Sequence, residues 1–250
     1  APERQPLPAG DQRRTAPRAC SRAASTPAVG QLGARREPVV GGTIGAIPGS
    51  MAHMPWQPHD FDAIYADSTP AWDIGRPQPA FDQLAATGQL IGRVLDVGCG
   101  TGEHTLMATS LGYEAVGVDM STRAIELARA KATERGIEAR FAVADALSLV
   151  DLGEQFDTVL DCGLFHGFDN GEREHYVESL AEVVPQGGRF LMLCFSDLQP
   201  GDWGPRRVTQ DEIRLAFSAG WRIDSIESAV IDLTWEPAGA LAWQAAITHE

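Results

Sequence analysis

Beyond about residue 90, short apolar runs alternate with longer stretches of helical spacing. The runs at 93–97, 114–119, 139–144, 156–161 and 189–195 are nearly continuous in aliphatic residues. That is the pattern of strands covered on both faces. Helices are predicted between them: 102–111, stopped by Gly112; one capped by Ser121 and ended by Gly136; 172–184, broken by Pro185 and Gly187-Gly188; and one capped by Thr209 running to about 219. Apolar runs at 221–233 and 240–248 predict a C-terminal antiparallel β-hairpin. Upstream, 60–66 predicts a short helix, 69–79 an ordered loop, and Pro79 the first turn of a helix to about 89. This alternation predicts an α/β fold, a single doubly wound, mostly parallel seven-stranded sheet with right-handed crossovers. Ligands of such sheets bind beyond the carboxyl ends of the strands, where strand order reverses.

The chain of 250 residues suits one α/β domain, 92–250, preceded by N-terminal helices and a loop at 56–91. Residues 1–55 differ. Their first fifty carry seven arginines against three acids among Pro, Ala, Gly and Ser, a composition that buries too little apolar area to order a chain. Gly49-Ser50-Met51-Ala52-His53-Met54 has the look of a cloning junction. This stretch is expected to be a disordered upstream or vector-derived extension; its arginine content also resembles an organelle transit peptide.

The net charge of −14 argues against a nucleic-acid partner, because phosphate binding relies on Lys and Arg. Apolar runs are too short to span a bilayer. The four cysteines, Cys20, Cys99, Cys162 and Cys194, form no C-x-x-C pair. They read as free thiols in a reducing cytoplasm, with no metal site. A monomer or homodimer is expected.

Candidate chemistry starts at Val94-Leu95-Asp96-Val97-Gly98-Cys99-Gly100-Thr101-Gly102, between a predicted strand and helix. Gly98 and Gly100 let backbone approach a ligand without a Cβ clash. The helix start at Gly102 offers free N–H groups to a carboxylate. A dinucleotide fingerprint needs its third glycine three residues after the second; here it comes after two, and Glu103 would repel a pyrophosphate. Asp96 suits a ligand carrying an amino group and a sulfonium. Asp119, ending the next strand, suits ribose hydroxyls. Asp145 follows the third strand in Ala144-Asp145-Ala146.

These three motifs, in register, resemble those of class I S-adenosylmethionine (SAM)-dependent methyltransferases, and the resemblance extends from about residue 60 to the end. It implies a Rossmann-like methyltransferase fold, with SAM as cofactor and S-adenosylhomocysteine (SAH) as product. Carried over, Asp96, Gly98, Cys99, Gly100 and Gly102 would bind the cofactor, Asp119 would bind ribose, Met120 would pack on adenine, and Asp145 and Ala146 would hold the adenine edge. The loop Asp161-Cys162-Gly163-Leu164-Phe165-His166 would face the methyl group. Asp161 would contact cofactor or substrate, and Phe165 would line the substrate pocket. His166 fits a general base by its near-neutral pKa, and equally a packing or hydrogen-bonding residue. The Asn/Asp-Pro-Pro-aromatic motif of nucleic-acid methyltransferases is missing from this loop.

Pro70 to Pro79 resembles the pre-core segment of thiopurine and thiol/halide S-methyltransferases, and of actinobacterial enzymes that methylate toxic heterocycles and quinones. That resemblance implies a lid in which Trp72 lies near the sulfonium and Arg76 pairs with a carboxylate; a plain structural anchor fits both residues nearly as well. Trp203 would form a further wall. Together these features predict methyl transfer to a small aromatic or heterocyclic acceptor on O or N. The alternatives are a thiol or thiopurine S-methyltransferase, a non-catalytic SAM-binding regulatory protein, and an NAD-dependent oxidoreductase.

Overall fold

Residues 58–250 are described by a computed structural model, so the expectations for 1–55, Cys20 among them, lie outside the described residues. The elements are α1 (Pro58–Asp67), α2 (Pro79–Ala86), β1 (Val94–Val97), α3 (Glu103–Ser110), β2 (Ala115–Asp119), α4 (Thr122–Arg135), β3 (Arg140–Val143), β4 (Thr158–Cys162), α5 (Asn170–Val183), β5 (Arg189–Phe195), α6 (Gln210–Ala216), β6 (Trp221–Ile231) and β7 (Ala240–His249). Short 3-10 turns at Ala146–Leu152 and Phe165–Gly167 fall in stretches where no element was expected.

The seven strands form one sheet in the order β3-β2-β1-β4-β5-β7-β6. β1 to β5 pair in parallel, while β7 runs antiparallel between β5 and β6. The doubly wound sheet and the terminal hairpin are therefore as expected. Strand order reverses between β1 and β4, which places the switch point above the glycine loop.

Helix boundaries follow local chemistry. Ser121 accepts the Ala124 N–H as N-cap of α4, and Gly136 ends it in the left-handed region at φ 65°. Capping boxes start α5 at Asp169 with Glu172 and α6 at Thr209 with Glu212. α6 ends at Ala216, short of the expected 219, where buried Phe217 turns into the core.

Side-chain alternation sorts the sheet into two faces. Leu95, Val97, Val116, Val118, Val159, Phe190, Met192 and Cys194 pack under α5 and α6 on one face. Val94, Ala115, Leu160, Leu191, Leu193 and Phe195 pack under α2 and α3 on the other. Phe190 is fully buried, stacked on Phe217 at 5.3 Å and edge-on to Tyr176 at 6.1 Å. Replacing Phe190→Ala leaves a cavity between sheet and helices and is expected to cost about 3–5 kcal/mol. Urea denaturation measures it; a loss below about 1 kcal/mol would show that this face is not the main core.

Candidate functional site

Parity along the strands decides which aspartates reach the switch point. Asp96 pairs with Gly117 and Val97 with Val118, whereas Asp161 pairs with Val97. Asp96 and Asp119 thus share the face covered by α3, and Asp161 falls on the face under α5.

Asp96 is buried, and its Oδ2 accepts both the Thr105 N–H (2.9 Å) and the Thr105 hydroxyl (2.7 Å). Gly117 makes the room: a Cβ there would stand 2.4 Å from Thr105 Oγ1. The other oxygen of Asp96, Oδ1, is buried without a partner. A lone buried carboxylate oxygen is costly unless a donor arrives, so the site fits a ligand bearing an ammonium group. Burial pushes the Asp96 carboxyl up to about 6.

The glycine loop folds above it, with Gly98 and Gly100 at φ 66° and 52°. The Asp119 carboxylate accepts the Gly100 N–H through Oδ2 and the Ser121 N–H through Oδ1, both at 2.9 Å. Burial raises its pKa. One lone pair on each oxygen remains for a ribose hydroxyl. Met120 beside it is half-buried. Asp145 is exposed and caps the turn at Ala146–Leu152 by accepting the Leu147 N–H at 2.9 Å through Oδ1. The buried Cys99 thiol turns toward the Gly100 carbonyl, 3.6 Å away.

Tyr65, which the sequence reading passed over, completes this edge from α1. A Cβ on Gly100 would stand 2.7 Å from its hydroxyl, and Trp72 Nε1 donates to that hydroxyl at 3.1 Å. The Trp72 ring stands edge-on to it, centroids 6.4 Å apart. Burial first, then the Asp119 charge, pushes the Tyr65 hydroxyl far up, so it stays protonated. Asp62 fastens α1 by accepting the Ser121 hydroxyl (2.6 Å) and the Arg123 N–H (3.0 Å). The loop after Trp72 is latched to the β6–β7 turn. Gln78 exchanges two bonds with the Asp232 backbone, and Thr234 N–H donates to Ala71 O.

Five expectations need correction. Arg76 is exposed and ion-paired to Asp232 at 2.6 Å, so its charge is spent on the latch rather than a ligand carboxylate. Glu103 is buried and ion-paired to Lys131 and Arg135, both at 2.7 Å, which hold its carboxyl below the usual range against burial. Its charge is neutralised within the fold, so repulsion of a pyrophosphate does not follow. Asp161 is fully buried; it accepts the Leu164 N–H at 2.8 Å, the Phe165 N–H at 3.1 Å and the Tyr176 hydroxyl at 3.1 Å. It positions the loop after β4 and has no spare reach. Phe165 turns into the core, 6.0 Å from Phe217 with Arg173 over its ring at 4.6 Å, so it lines no pocket.

The fifth concerns His166. The Phe195 N–H donates to its Nδ1 at 3.1 Å. Nδ1 therefore carries no proton and the neutral ring carries it on Nε2. Burial first, then Arg173 and Arg207, push its pKa down to about 3. His166 is a fixed hydrogen-bond donor, not a general base. Its ring stands edge-on to Phe195, 5.1 Å between centroids. Phe195 meets Trp203 at 5.8 Å, and Trp203 meets Trp235 at 5.0 Å. Trp235, on the β6–β7 turn, was not foreseen; Trp235-Glu-Pro-Ala-Gly239 carries only a turn signal.

A model of the methyltransferase domain matches residues 94–188. Over 163 residues the chain is 36% identical to 2-heptyl-1-hydroxyquinolin-4(1H)-one methyltransferase of Mycobacteroides abscessus, covering 64% of this chain and 72% of that protein. The chain belongs to the SAM-dependent methyltransferases. This methyltransferase is also 31% identical over 161 residues to probable thiol methyltransferase 2 of Arabidopsis thaliana, covering 62% and 71%. A solved structure described as conversion of a disulfide bond into a thioacetal group during echinomycin biosynthesis superposes with a TM-score of 0.71 at 36% identity, covering 78% of this chain and 93% of that one. SAM is the cofactor, as the three motifs implied. Among the described residues of the methyltransferase, no helix is long and apolar enough to cross a membrane, and no cluster of ligating side chains would hold a metal ion.

Because its pKa is raised from the ordinary aspartate range to about 7, chiefly by burial, Asp161 binds more proton folded than unfolded within that window. Its contribution is therefore present at low pH and lost as pH rises toward about 7. Asp161→Asn keeps an acceptor oxygen for the loop amides. Its stability is expected to fall less steeply than that of the wild type between about pH 5 and about pH 8, with SAH affinity retained. Parallel slopes in urea denaturation would show that burial does not raise the Asp161 pKa, and lost SAH binding would restore Asp161 to the ligand site.

Proposed function

We propose that the chain methylates a small, flat aromatic or heterocyclic acceptor laid against Phe195, Trp203 and Trp235. The observation that carries this reading is the run of edge-on rings from His166 to Trp235, placed beyond the carboxyl end of β5 and next to the loop after β4. Such rings offer large apolar area at little entropic cost. The acceptor of the similar Mycobacteroides enzyme, a hydroxyquinolone by its name, is of this kind.

Bound at the switch point, SAM supplies an activated methyl group. In this reading Asp96 Oδ1 takes the amino group, Asp119 the ribose hydroxyls, and Asp145 with the Ala146 N–H the adenine edge, while Met120 packs on the ring. Tyr65 and Trp72 close the methionine end as part of a lid formed by the segment before β1. The latch of Arg76 and Gln78 on Asp232 supports that lid, because it ties the segment to the turn carrying Trp235. The protein contributes alignment and water exclusion.

A thiol acceptor is the second reading, favoured by the likeness to the Arabidopsis protein. Mass-spectrometric screening for a gain of one methylene unit across phenols, hydroxylated heterocycles and thiols separates the two. Gain on flat oxygen or nitrogen acceptors is expected, and Trp203→Ala should raise their KM about tenfold with SAH affinity nearly unchanged. Gain confined to aliphatic thiols would overturn the proposal.

A further inference from the structure

The chain carries a net charge of −14, yet the loop after β5 and the start of α5 bring arginines together. Arg173 and Arg207 lie near enough to act on His166, and Arg206 is joined to Arg173 through Glu212. Glu212 is the carboxylate within ion-pair distance of them among the described residues, bound to Arg173 at 3.3 Å and also to Arg206. Arg206 gives its other bond to Asn170 (2.7 Å).

Arg207 lacks such a partner. It donates to four backbone carbonyls, those of Gln199, Gly201, Trp203 and Pro205. Carbonyl oxygens orient a guanidinium without cancelling its charge. The group lies 5.3 Å over the Phe195 ring and 5.6 Å over the Trp203 ring, two rings of the acceptor wall. Exposed Asp202 is the acid whose charge reaches it. Arg173, buried on α5, donates through Nε to Phe165 O and keeps Nη2 buried without a partner. On the other elements around His166, the Asp161 carboxyl is taken up by loop amides and Tyr176, and the Cys194 thiol is held protonated by burial. Asp197 accepts Trp243 Nε1 at 3.1 Å. Across the site, Tyr65 is a neutral hydroxyl.

Among these described residues no side chain is placed as a base at the wall, while fixed positive charge and the His166 N–H are present. We propose that the acceptor is bound as an oxyanion, the ionised hydroxyl of a flat aromatic or heteroaromatic ring, beside His166 Nε2–H and in the field of Arg207 and Arg173. The inference rests on the flat-acceptor reading above and adds the acceptor's charge and atom. Hard N–H donors and guanidinium favour an oxygen anion over a softer thiolate. The hydroxyl proton leaves to solvent before transfer. The oxyanion lone pair then forms the O–C bond as the S–C bond of the sulfonium breaks and its electron pair returns to sulfur. Anion and cation become two neutral products. Arg207 acts in this scheme as a positioning residue, through the field and through the loop it holds.

The test is an absorbance titration of 4-nitrophenol and of 4-nitrothiophenol on the protein saturated with SAH, where ionisation of the probe is read directly. The bound phenol's pKa is expected to lie at least about one unit below its free value. Arg207→Met should cancel most of that shift, and Arg207→Lys, which keeps the charge but not the carbonyl fork, should retain much of it. The wild-type titration stands even if both variants misfold. An unchanged or raised phenol pKa, no phenol binding, or a shift confined to the thiophenol would overturn the oxyanion. The mass-gain screen judges the flat-acceptor reading separately: neutral flat amines methylated with no phenol shift would leave that reading intact and remove this one.

Discussion

Carboxylates at the carboxyl ends of four adjacent parallel strands, three of them buried, hold the loops on which everything else rests. A parallel sheet ends in backbone amides that need acceptors, and the chain supplies an aspartate at each end: Asp145, Asp119, Asp96 and Asp161 across β3, β2, β1 and β4. An ionised carboxylate offers several acceptor sites, so one side chain can fasten a turn and retain capacity. Whether capacity remains is a matter of geometry. Asp161 has spent its oxygens on two amides and a tyrosine, while Asp96 has one oxygen with nothing to accept. That difference separates a residue that shapes the site from one that is open to a ligand.

Much of this was legible beforehand. The glycine loop, the strand-end acids and the caps at Ser121 and Thr209 depend on neighbours within a few residues, and such signals survive in a linear reading. What was not legible depends on strand pairing and on contacts between distant segments. Asp161 reads like its sister aspartates, and only the register with Val97 sends it under α5. Glu103 reads as free charge until α4 brings Lys131 and Arg135 against it. Arg76 meets Asp232 across 156 residues. Tyr65 and Trp235 are single aromatics in weak local contexts, and neither declares a role until the glycine loop and the aromatic wall are assembled around them. For His166 the sequence offers a pKa near neutrality, but the amide of Phe195 fixes the tautomer and reverses the chemistry from base to donor.

The two halves of the site differ in electrical character. The cofactor edge is acidic, with Asp96 and Asp119 suited to a sulfonium ligand with an amino group. The edge beyond β5 is basic and aromatic. In the proposed reading, a methyl donor that carries positive charge and an acceptor that carries negative charge are drawn to opposite sides of one switch point. The β6–β7 turn joins them, since it latches the segment carrying Trp72 and presents Trp235 to the wall. In that reading, the segment over the donor and the acceptor wall are both held by this one turn.

The central claim is that Asp96 receives the amino group of the cofactor. Calorimetric titration with SAH near pH 6, in buffers of different ionisation enthalpy, tests it most directly. A carboxyl held at about 6 by burial must ionise when an ammonium group arrives. The wild type is predicted to release protons on binding, and Asp96→Asn to bind more weakly with that buffer dependence gone. Heat independent of buffer in the wild type, or an unaltered dependence in the variant, would contradict the account.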